Sequence, residues 1–492
     1  MKVLELIVCF VGIVGSVSAI TTTPPDNKGT EFVLMFMENQ HLGQQDFPLE
    51  LYCVTQEKKS VNVHVTSPKS SFPQVNQSFT ITDGQVHKTL VDSAFRMTGS
   101  SISSKAIRIQ ADGEIACYGA NKETLSNDVY LGLPVDTLGT DYYAMTYSPA
   151  SIKSELGIAC TDDFTTVKIT LPAGNGNVDV TFEGKTYHSG DVINVQLHKY
   201  DTLQLQITGD LTGTHIETNK PVAAFSGNLR TNIGKGPFAD HLVEQLLPSD
   251  RWGKKFVTAP IPRRTVGDVF KVVAREDNTV INVTGKLLFH LNKGGLVTFE
   301  LPSDHYNYIV SSKPVMMAQF VKSQQLATES ADPSMMIITP CEQFGSDYTF
   351  SSPEYSHPEY GPTFRYKNEL MIVLKKSDIL GLLLNGKMFP QTTWTDIPYS
   401  NMVGSYITLS HGAHKVHHLN PLATFAGYLY GHAYHESYGF PVGMRTAVIY
   451  SNCTPTVSVP GDGIDNDCDN TIDEEICPDN IGELFPLSFK IE

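Results

Sequence analysis

Long apolar runs are scarce in this sequence of 492 residues. Beyond the N-terminal segment, the sequence has no stretch of about 20 apolar residues, the length that a membrane-spanning helix needs. We therefore expect no membrane span in the body of the chain. No segment shows a sustained helical stripe. Basic residues number 36 against 52 acidic ones, and the net charge of -16 argues against nucleic acid as a partner. Motifs of serine hydrolases, zinc proteases and phosphate-binding enzymes are also absent, so we predict no enzymatic activity.

The first residues have the features of a secretory signal. Lys2 supplies a positive charge, an apolar core follows, and residues 17–19 form a small-residue cleavage site. We predict a signal peptide at 1–19, a flexible polar leader at 20–30 and a secreted, extracellular protein. An uncleaved anchor is the alternative, but the apolar run is short for one.

Two sequence elements recur at intervals of about 100 residues. The first is a glycine turn followed downstream by a strand that usually contains Pro. The turns lie at Gly84, Gly184, Gly285 and Gly386, and the strands at 114–118, 220–225, 313–320 and 420–425. The second is an acidic residue, then a Pro, a Gly and an aromatic residue. Its copies are Asp128, Pro134, Gly139 and Tyr142; Asp240, Pro248, Gly253 and Phe256; and Asp332, Pro340, Gly345 and Tyr348.

Alternation of apolar and polar residues predicts antiparallel strands between turns, for example at 61–65, 178–182 and 297–301. We therefore predict an all-β fold of four tandem β-sandwich-like repeats, at about 31–145, 146–258, 259–350 and 351–450. The prolines of the recurring strands should lie on edge strands or at a strand's first residue. The aromatic residue that follows should fill the core.

Seven cysteines remain once the predicted signal is removed, and an odd number leaves one free or linked to another chain. They are Cys53, Cys117, Cys160, Cys341, Cys453, Cys468 and Cys477. We expect Cys53 to pair with Cys117 and Cys160 with Cys341. Three sequons predict N-glycosylation, at Asn76, Asn282 and Asn452.

The segment 451–479 is rich in Cys and Asp and predicts a Ca²⁺ site, because alternate carboxylates of one loop can converge on one ion. The expected ligands are Asp462, Asp465, Asp467, Asp469, Thr471, Asp473 and Glu474. An EF-hand match fails, since Asn470 and Ile476 replace the required Gly and Glu. The segment instead resembles thrombospondin type 3 calcium repeats. A solvated acidic segment is the alternative, and a tail follows at 480–492.

A third set of residues resembles a known family. The segments 220–228, 240–248 and 252–254, together with 267–272, are similar to the IgGFc-binding protein N-terminal domain family. The resemblance is strongest between about 142 and 360 and extends more loosely over 31–450. It implies a secreted, non-catalytic binding protein of mucus or matrix. The Cys-rich von Willebrand-type assembly modules of the vertebrate form do not occur in this sequence.

These observations favour a secreted binding or adhesion protein of mucus, extracellular matrix or defence. Its partner would be an extracellular protein, a glycan or a microbial surface ligand. A structural secretion forming a disulfide-linked dimer is the first alternative, which a non-reducing gel would reveal. A hydrolase with an unrecognised site is the second, which a screen on ester, glycan and peptide substrates would test.

Overall fold

The computed structural model describes residues 25–41, 47–69, 74–148, 153–173, 178–324, 331–354, 365–433 and 436–449. Within these ranges it has 33 β-strands and five short 3-10 turns, and no α-helix. The strands pair antiparallel in several curled sheets. The predicted all-β class is therefore confirmed. No described helix is long and apolar enough to cross a membrane.

The strands fall into four groups along the chain. The first group is β1 Gly29–Leu34, β2 Leu49–Val54, β3 Val61–Thr66, β4 Asn76–Ile81, β5 Val86–Val91, β6 Ser101–Ser103, β7 Ile107–Glu123 and β8 Ser126–Gly132. The second is β9 Gly139–Tyr143, β10 Ser154–Cys160, β11 Thr165–Thr170, β12 Val180–Phe182, β13 Lys185–Tyr187, β14 Val192–Leu197, β15 Thr202–Ile207, β16 His215–Thr231 and β17 Asp240–Gln245.

The third group is β18 Gly253–Thr258, β19 Asp268–Ala274, β20 Thr279–Val283, β21 Leu287–Leu291, β22 Leu296–Leu301, β23 Asn307–Val321 and β24 Ser334–Ile337. The fourth is β25 Asp347–Ser351, β26 Lys367–Lys375, β27 Leu382–Leu384, β28 Lys387–Met388, β29 Thr395–Asp396, β30 Met402–Leu409, β31 Ala413–His418, β32 Phe425–Ala433 and β33 Glu436–Pro441. The 3-10 turns are Ser93–Phe95, Val135–Thr137, Ser249–Arg251, Cys341–Gln343 and Lys376–Asp378.

One long strand organises each of the first three groups. The N-terminal half of β7 pairs with β1 and β3, and its C-terminal half pairs with β2 and β8. Strand β16 pairs in the same way with β9 and β11, then with β10 and β17. Strand β23 pairs with β18 and β20, then with β19 and β24. In the fourth group two strands take these places: β31 pairs with β25 and β27, and β32 with β26 and β33.

Pro221 lies inside β16, at the point where this strand changes partners. The register with β9 shifts between Glu217 and Val222, so no regular ladder bond is needed from residue 221. Pro221 thus marks the change of partners rather than the strand start or sheet edge that the sequence suggested. Pro421 lies in the turn before β32, so the strand predicted at 420–425 begins only at Phe425. The predicted core role of the following aromatic residues is confirmed, because Phe225, Phe320 and Phe425 are fully buried.

A glycine of β9 fixes the joint between the second and third groups. A Cβ added to Gly139 would lie 2.5 Å from Cβ of Pro248. Gly29 meets Pro134 in the same manner, and Gly253 meets Pro340. The recurring Pro and Gly of the sequence therefore contact each other between successive groups, where only a residue without a side chain fits.

The four recurrent turn glycines all have positive φ, from 72° to 75°, as two-residue turns require. Gly184, Gly285 and Gly386 each join two paired strands. Gly84 instead joins β4 to β5, which pair with β3 and β2 respectively. Gly285 and Gly386 therefore have equivalent places in the strand order, whereas Gly84 and Gly184 do not, because β12 and β13 form a separate two-stranded sheet.

The end of the predicted leader is held against the C-terminal part of the described chain. The Asn27 N–H donates to the Met444 carbonyl at 3.1 Å, and the Met444 N–H donates to the Asn27 side chain at 3.0 Å. Asn27 is 3% exposed. The leader thus differs from the prediction at residues 25–30, because a buried asparagine satisfies two backbone groups there.

The last strands of the four groups, β8, β17, β24 and β33, pack against one another. Each carries or follows a buried acidic residue, namely Asp128, Asp240, Asp332 and Glu436. Burial raises the pKa of all four carboxyl groups. The acidic residues that recur in the sequence therefore meet in the interior, and we call this group the acidic centre.

Candidate ligand-binding face

An open concavity of about 620 Å³ lies on the outward side of β14, β11 and β16. Residues of β11 alternate, with Val167 and Ile169 buried and Thr166 and Lys168 exposed. The same alternation on β14 and β16 completes a polar surface, which we call the second-sheet face. Its outward side chains are those of Thr166, Lys168, Asn194, Gln196, Glu217 and Asn219.

A cross-strand ion pair lies in the middle of this face. Lys168 is the register partner of both Glu217 and Asn194. Its Nζ donates to Glu217 Oε2 at 2.6 Å, and this bond lowers the pKa of the Glu217 carboxyl. The two side chains are 50% and 40% exposed, so the pair adds little stability. It leaves the face without net charge.

The remaining polar groups of the face are hydroxyls and amides. The Thr166 backbone N–H donates to Asn219 Oδ1 at 2.7 Å, which orients that amide. Asn194 and Gln196 are exposed on the neighbouring strand. Amide and hydroxyl groups both donate and accept hydrogen bonds, so the face can match a ligand that carries many hydroxyl groups. The sequence did not show which polar residues would share one face, because that depends on the register of separate strands.

A corresponding surface lies on the first group, and we call it the first-sheet face. Its concavity is about 430 Å³ and involves Asn62 and His64 of β3 with Ser78 and Thr80 of β4. A His64 ring nitrogen lies 2.7 Å from the Ser78 hydroxyl. Thr80 donates to Asn62 Oδ1 at 2.9 Å. Two groups thus present polar concavities on matching strands.

The predicted cysteine pairs differ in their geometry. Cys53 and Cys117 are register partners on β2 and β7, and their fully buried Sγ atoms lie 3.4 Å apart as thiols. Cys160 and Cys341 are free thiols and are not paired with each other. Burial raises the pKa of Cys160 to about 12, with the carboxylate of Asp201 adding to the effect.

The predicted glycosylation sites Asn76 and Asn282 are both exposed, on β4 and β20. Asn452, the predicted Ca²⁺ ligands and the three cysteines after residue 450 lie outside the described residues, as does the signal peptide. Among the residues that the structure does describe, no group of three or more His, Cys, Asp or Glu side chains is arranged to hold a metal ion.

Taken together, these features define an all-β protein that presents shallow polar faces on its sheets. A family model described as "IgGFc binding protein" matches residues 128–431, more than half of the chain. The chain therefore belongs to the IgGFc-binding protein family, as the sequence resemblance suggested.

A curated relative is the IgGFc-binding protein of Homo sapiens, 24% identical over 406 residues. The match covers 81% of this chain and 7% of the human protein, so the chain spans a small part of that relative's length. A solved structure titled as a tetra-tandem repeat in the extending region of a large adhesion protein is 8% identical. It matches 79% of this chain and 92% of that chain, but its TM-score of 0.09 supports no argument about the fold.

Proposed function

We propose that the protein is a secreted, non-catalytic binding protein of mucus, extracellular matrix or defence, and that its second-sheet face recognises glycan chains. The observation that carries this proposal is the concavity on that face, lined by hydroxyl and amide side chains around a neutralised Lys168–Glu217 pair. Family membership supports the same class of function.

The chemistry of the face favours a glycan over other ligands. Anchors of protein interfaces are typically Trp, Tyr and Arg, and none of these lines the concavity. A polyanion is disfavoured by the net charge of -16. Neutral sugars present donors and acceptors in equal measure, and the exposed Asn194 and Gln196 amides match them.

Binding to a purified secreted mucin tests the proposal, first with its O-glycans intact and then after enzymatic removal. We expect binding only to the intact mucin. Asn194→Ala removes an exposed amide and should weaken binding by about tenfold, since two lost hydrogen bonds correspond to about 1.4 kcal/mol. The matched control is Asn401→Ala, at another exposed asparagine. Equal binding to stripped mucin, or an Asn194→Ala variant that binds normally, would contradict the proposal.

We further propose that the segment 451–479 binds Ca²⁺ through its Asp residues. The carboxylates on alternate residues of this segment support the proposal, because Ca²⁺ binds six to eight oxygen ligands. Calorimetric titration of the chain with Ca²⁺ should show binding that Asp467→Asn weakens. Repeating the mucin experiment in chelator separates an ion that serves recognition from one that serves only the local structure.

The pair Cys53 and Cys117 is a proposed disulfide. Each Sγ must move little from the 3.4 Å separation to reach a bond of about 2 Å. Burial raises the pKa of Cys117, so the reactive thiolate is disfavoured in the folded chain. We therefore expect the disulfide to form before folding is complete. The disulfide of an oxidoreductase would accept two electrons from the two thiols, and the two thiol protons would be released. Peptide mapping without reductant would show the linked pair.

We also propose that the four strand groups are copies of one two-layer unit. The support is the matching register around β7, β16 and β23, and the division of the fourth long strand into β31 and β32. One layer would hold the partners of the N-terminal half of each long strand, and the other those of its C-terminal half. Chemical cross-linking between cysteines placed one on each layer of a group would test this arrangement.

A further inference from the structure

Three residues occupy the same position on matching strands. His64 of β3 pairs with residues of β4 and β7, and Lys168 of β11 pairs with residues of β14 and β16. Asn282 of β20 pairs with Leu288 of β21 and Val310 of β23. All three are exposed at the centre of an outward face. We call the face around Asn282 the third-sheet face.

The third-sheet face differs from the other two in its polarity. Leu288, the register partner of Asn282, is 60% exposed. Val280 and Val310 are half-buried beside it. Exposed apolar area on a sheet is unfavourable in water, and flat apolar faces invite association. A group that covers this face would remove the apolar area from water and would prevent association through it.

An N-glycan attached to Asn282 would be such a covering group. Asn282 begins the sequon Asn-Val-Thr, and its side chain is exposed. Cross-strand partners lie about 5 Å apart, so the first sugar attached to Asn282 would lie directly over Leu288. The other described sequon, at Asn76, is on the outward side of β4, two residues from Ser78 of the first-sheet face. That spacing is about 7 Å along a strand.

No sequon occurs on β11, β14 or β16. We infer that N-glycans on Asn282 and Asn76 occupy the third-sheet and first-sheet faces and leave the second-sheet face as the open ligand-binding surface. The role of the second-sheet face as the ligand-binding surface rests on the proposed function, whereas the occupancy of the other two faces by N-glycans does not. Of these three matching faces, only the second-sheet face then remains open to a ligand.

The sequence offers a direct test, because Lys168 is followed two residues later by Thr170. Lys168→Asn alone creates a sequon at the position that corresponds to Asn282. The full chain would be secreted from cells that add N-glycans, and sites would be mapped by deglycosylation in heavy-oxygen water. We expect glycans on Asn76 and Asn282 of the wild type, and one more on the variant.

Mucin binding by the glycosylated Lys168→Asn variant should fall by more than tenfold, because the new glycan covers the second-sheet face. The matched control, Lys168→Asn with Thr170→Ala, keeps the asparagine but loses the sequon, so it shares the loss of the Lys168–Glu217 pair. It should bind mucin more tightly than the glycosylated variant, and the difference between the two variants measures the effect of the glycan alone. If the new sequon is not used, Lys168→Cys coupled to a maleimide polyethylene glycol blocks the same position.

Asn282→Gln provides a second readout, since it removes the glycan without changing the polarity of the side chain. The secreted variant should bind more of an apolar fluorescent dye and should self-associate, because Leu288 becomes uncovered. An unmodified Asn282 or Asn76 in the wild type would overturn the inference while leaving the proposed function intact. Normal mucin binding by a chain blocked at Lys168 would instead refute the second-sheet face as the binding site.

Discussion

The acidic centre should make the stability of the protein depend on pH through Glu436. Burial raises the pKa of this carboxyl from 4.5 to about 7, with Asp332 adding repulsion while Lys122 opposes the rise. Its other neighbours are Tyr366, whose hydroxyl donates to Oε2 at 2.8 Å, and Asn127. Because the folded-state pKa is raised, this contribution to stability is fully present below pH 4.5 and is lost as the pH rises through 7.

The size of the effect follows from linkage. One pKa unit corresponds to about 1.4 kcal/mol, so ionising Glu436 costs the folded state about 3 kcal/mol relative to the unfolded chain. Between pH 5 and pH 8 the change amounts to about 2–3 kcal/mol. Asp332, whose pKa burial raises to about 7, acts in the same direction. The two carboxyls interact, so their effects do not add.

Glu436→Gln isolates this contribution, because an amide oxygen still accepts from the Tyr366 hydroxyl but cannot ionise. Urea unfolding at pH 5 and pH 8 would give the free energy of unfolding of both proteins. We expect the variant to gain about 2–3 kcal/mol relative to the wild type between these pH values. Glu183→Gln, at an exposed turn residue, is the control and should leave the pH dependence unchanged. A difference between variant and wild type that stays constant with pH would refute the reasoning.

Two further substitutions probe the joints between strand groups. Gly139→Ala should lower the free energy of unfolding by about 1–3 kcal/mol, because the added Cβ meets Pro248; a gain in urea midpoint, which reduced chain entropy alone would cause, would contradict this. Asp210→Asn should cost about 3–5 kcal/mol, since Lys271 is 3% exposed on its side chain and its Nζ lies 2.6 Å from Asp210 Oδ2. Adding Lys271→Met should recover most of that loss in the same unfolding assay, and no recovery would count against a buried unpaired charge as the cause.

Local features of the fold could be predicted from the sequence, whereas relations between distant segments could not. Alternation predicts strands because the side-chain period of a strand is two residues. Glycine turns follow from the need for positive φ. The position of Pro221 within β16 escaped prediction, because a strand that changes partners halfway has the same local pattern as two strands. The second-sheet face escaped for a related reason, since it depends on the register of three separate strands.

The acidic centre shows why a recurring residue can be recognised in sequence without its role being evident. Asp128 and Asp240 recur at similar places in two groups, and a solvated turn would have the same pattern. In the folded chain, however, Asp128 Oδ2 accepts from the Val243 N–H at 3.1 Å, and Asp240 accepts from the backbone of Asn127 and Ser437. Each carboxyl thus satisfies backbone groups of another strand group.

These hydrogen bonds between strand groups make the stability of each group depend on the others, which does not happen in a linear array of repeats. In a solenoid each repeat contacts only its neighbours, and stability is close to a sum of local terms. Here β8 packs against β33 as well as against β17, so the first and fourth groups are in contact. Loss of one group would leave Asp128 or Asp240 buried without its backbone donors, which is costly for a carboxyl group. The described β region should therefore unfold as one cooperative unit, although its sequence repeats at the length of a small domain.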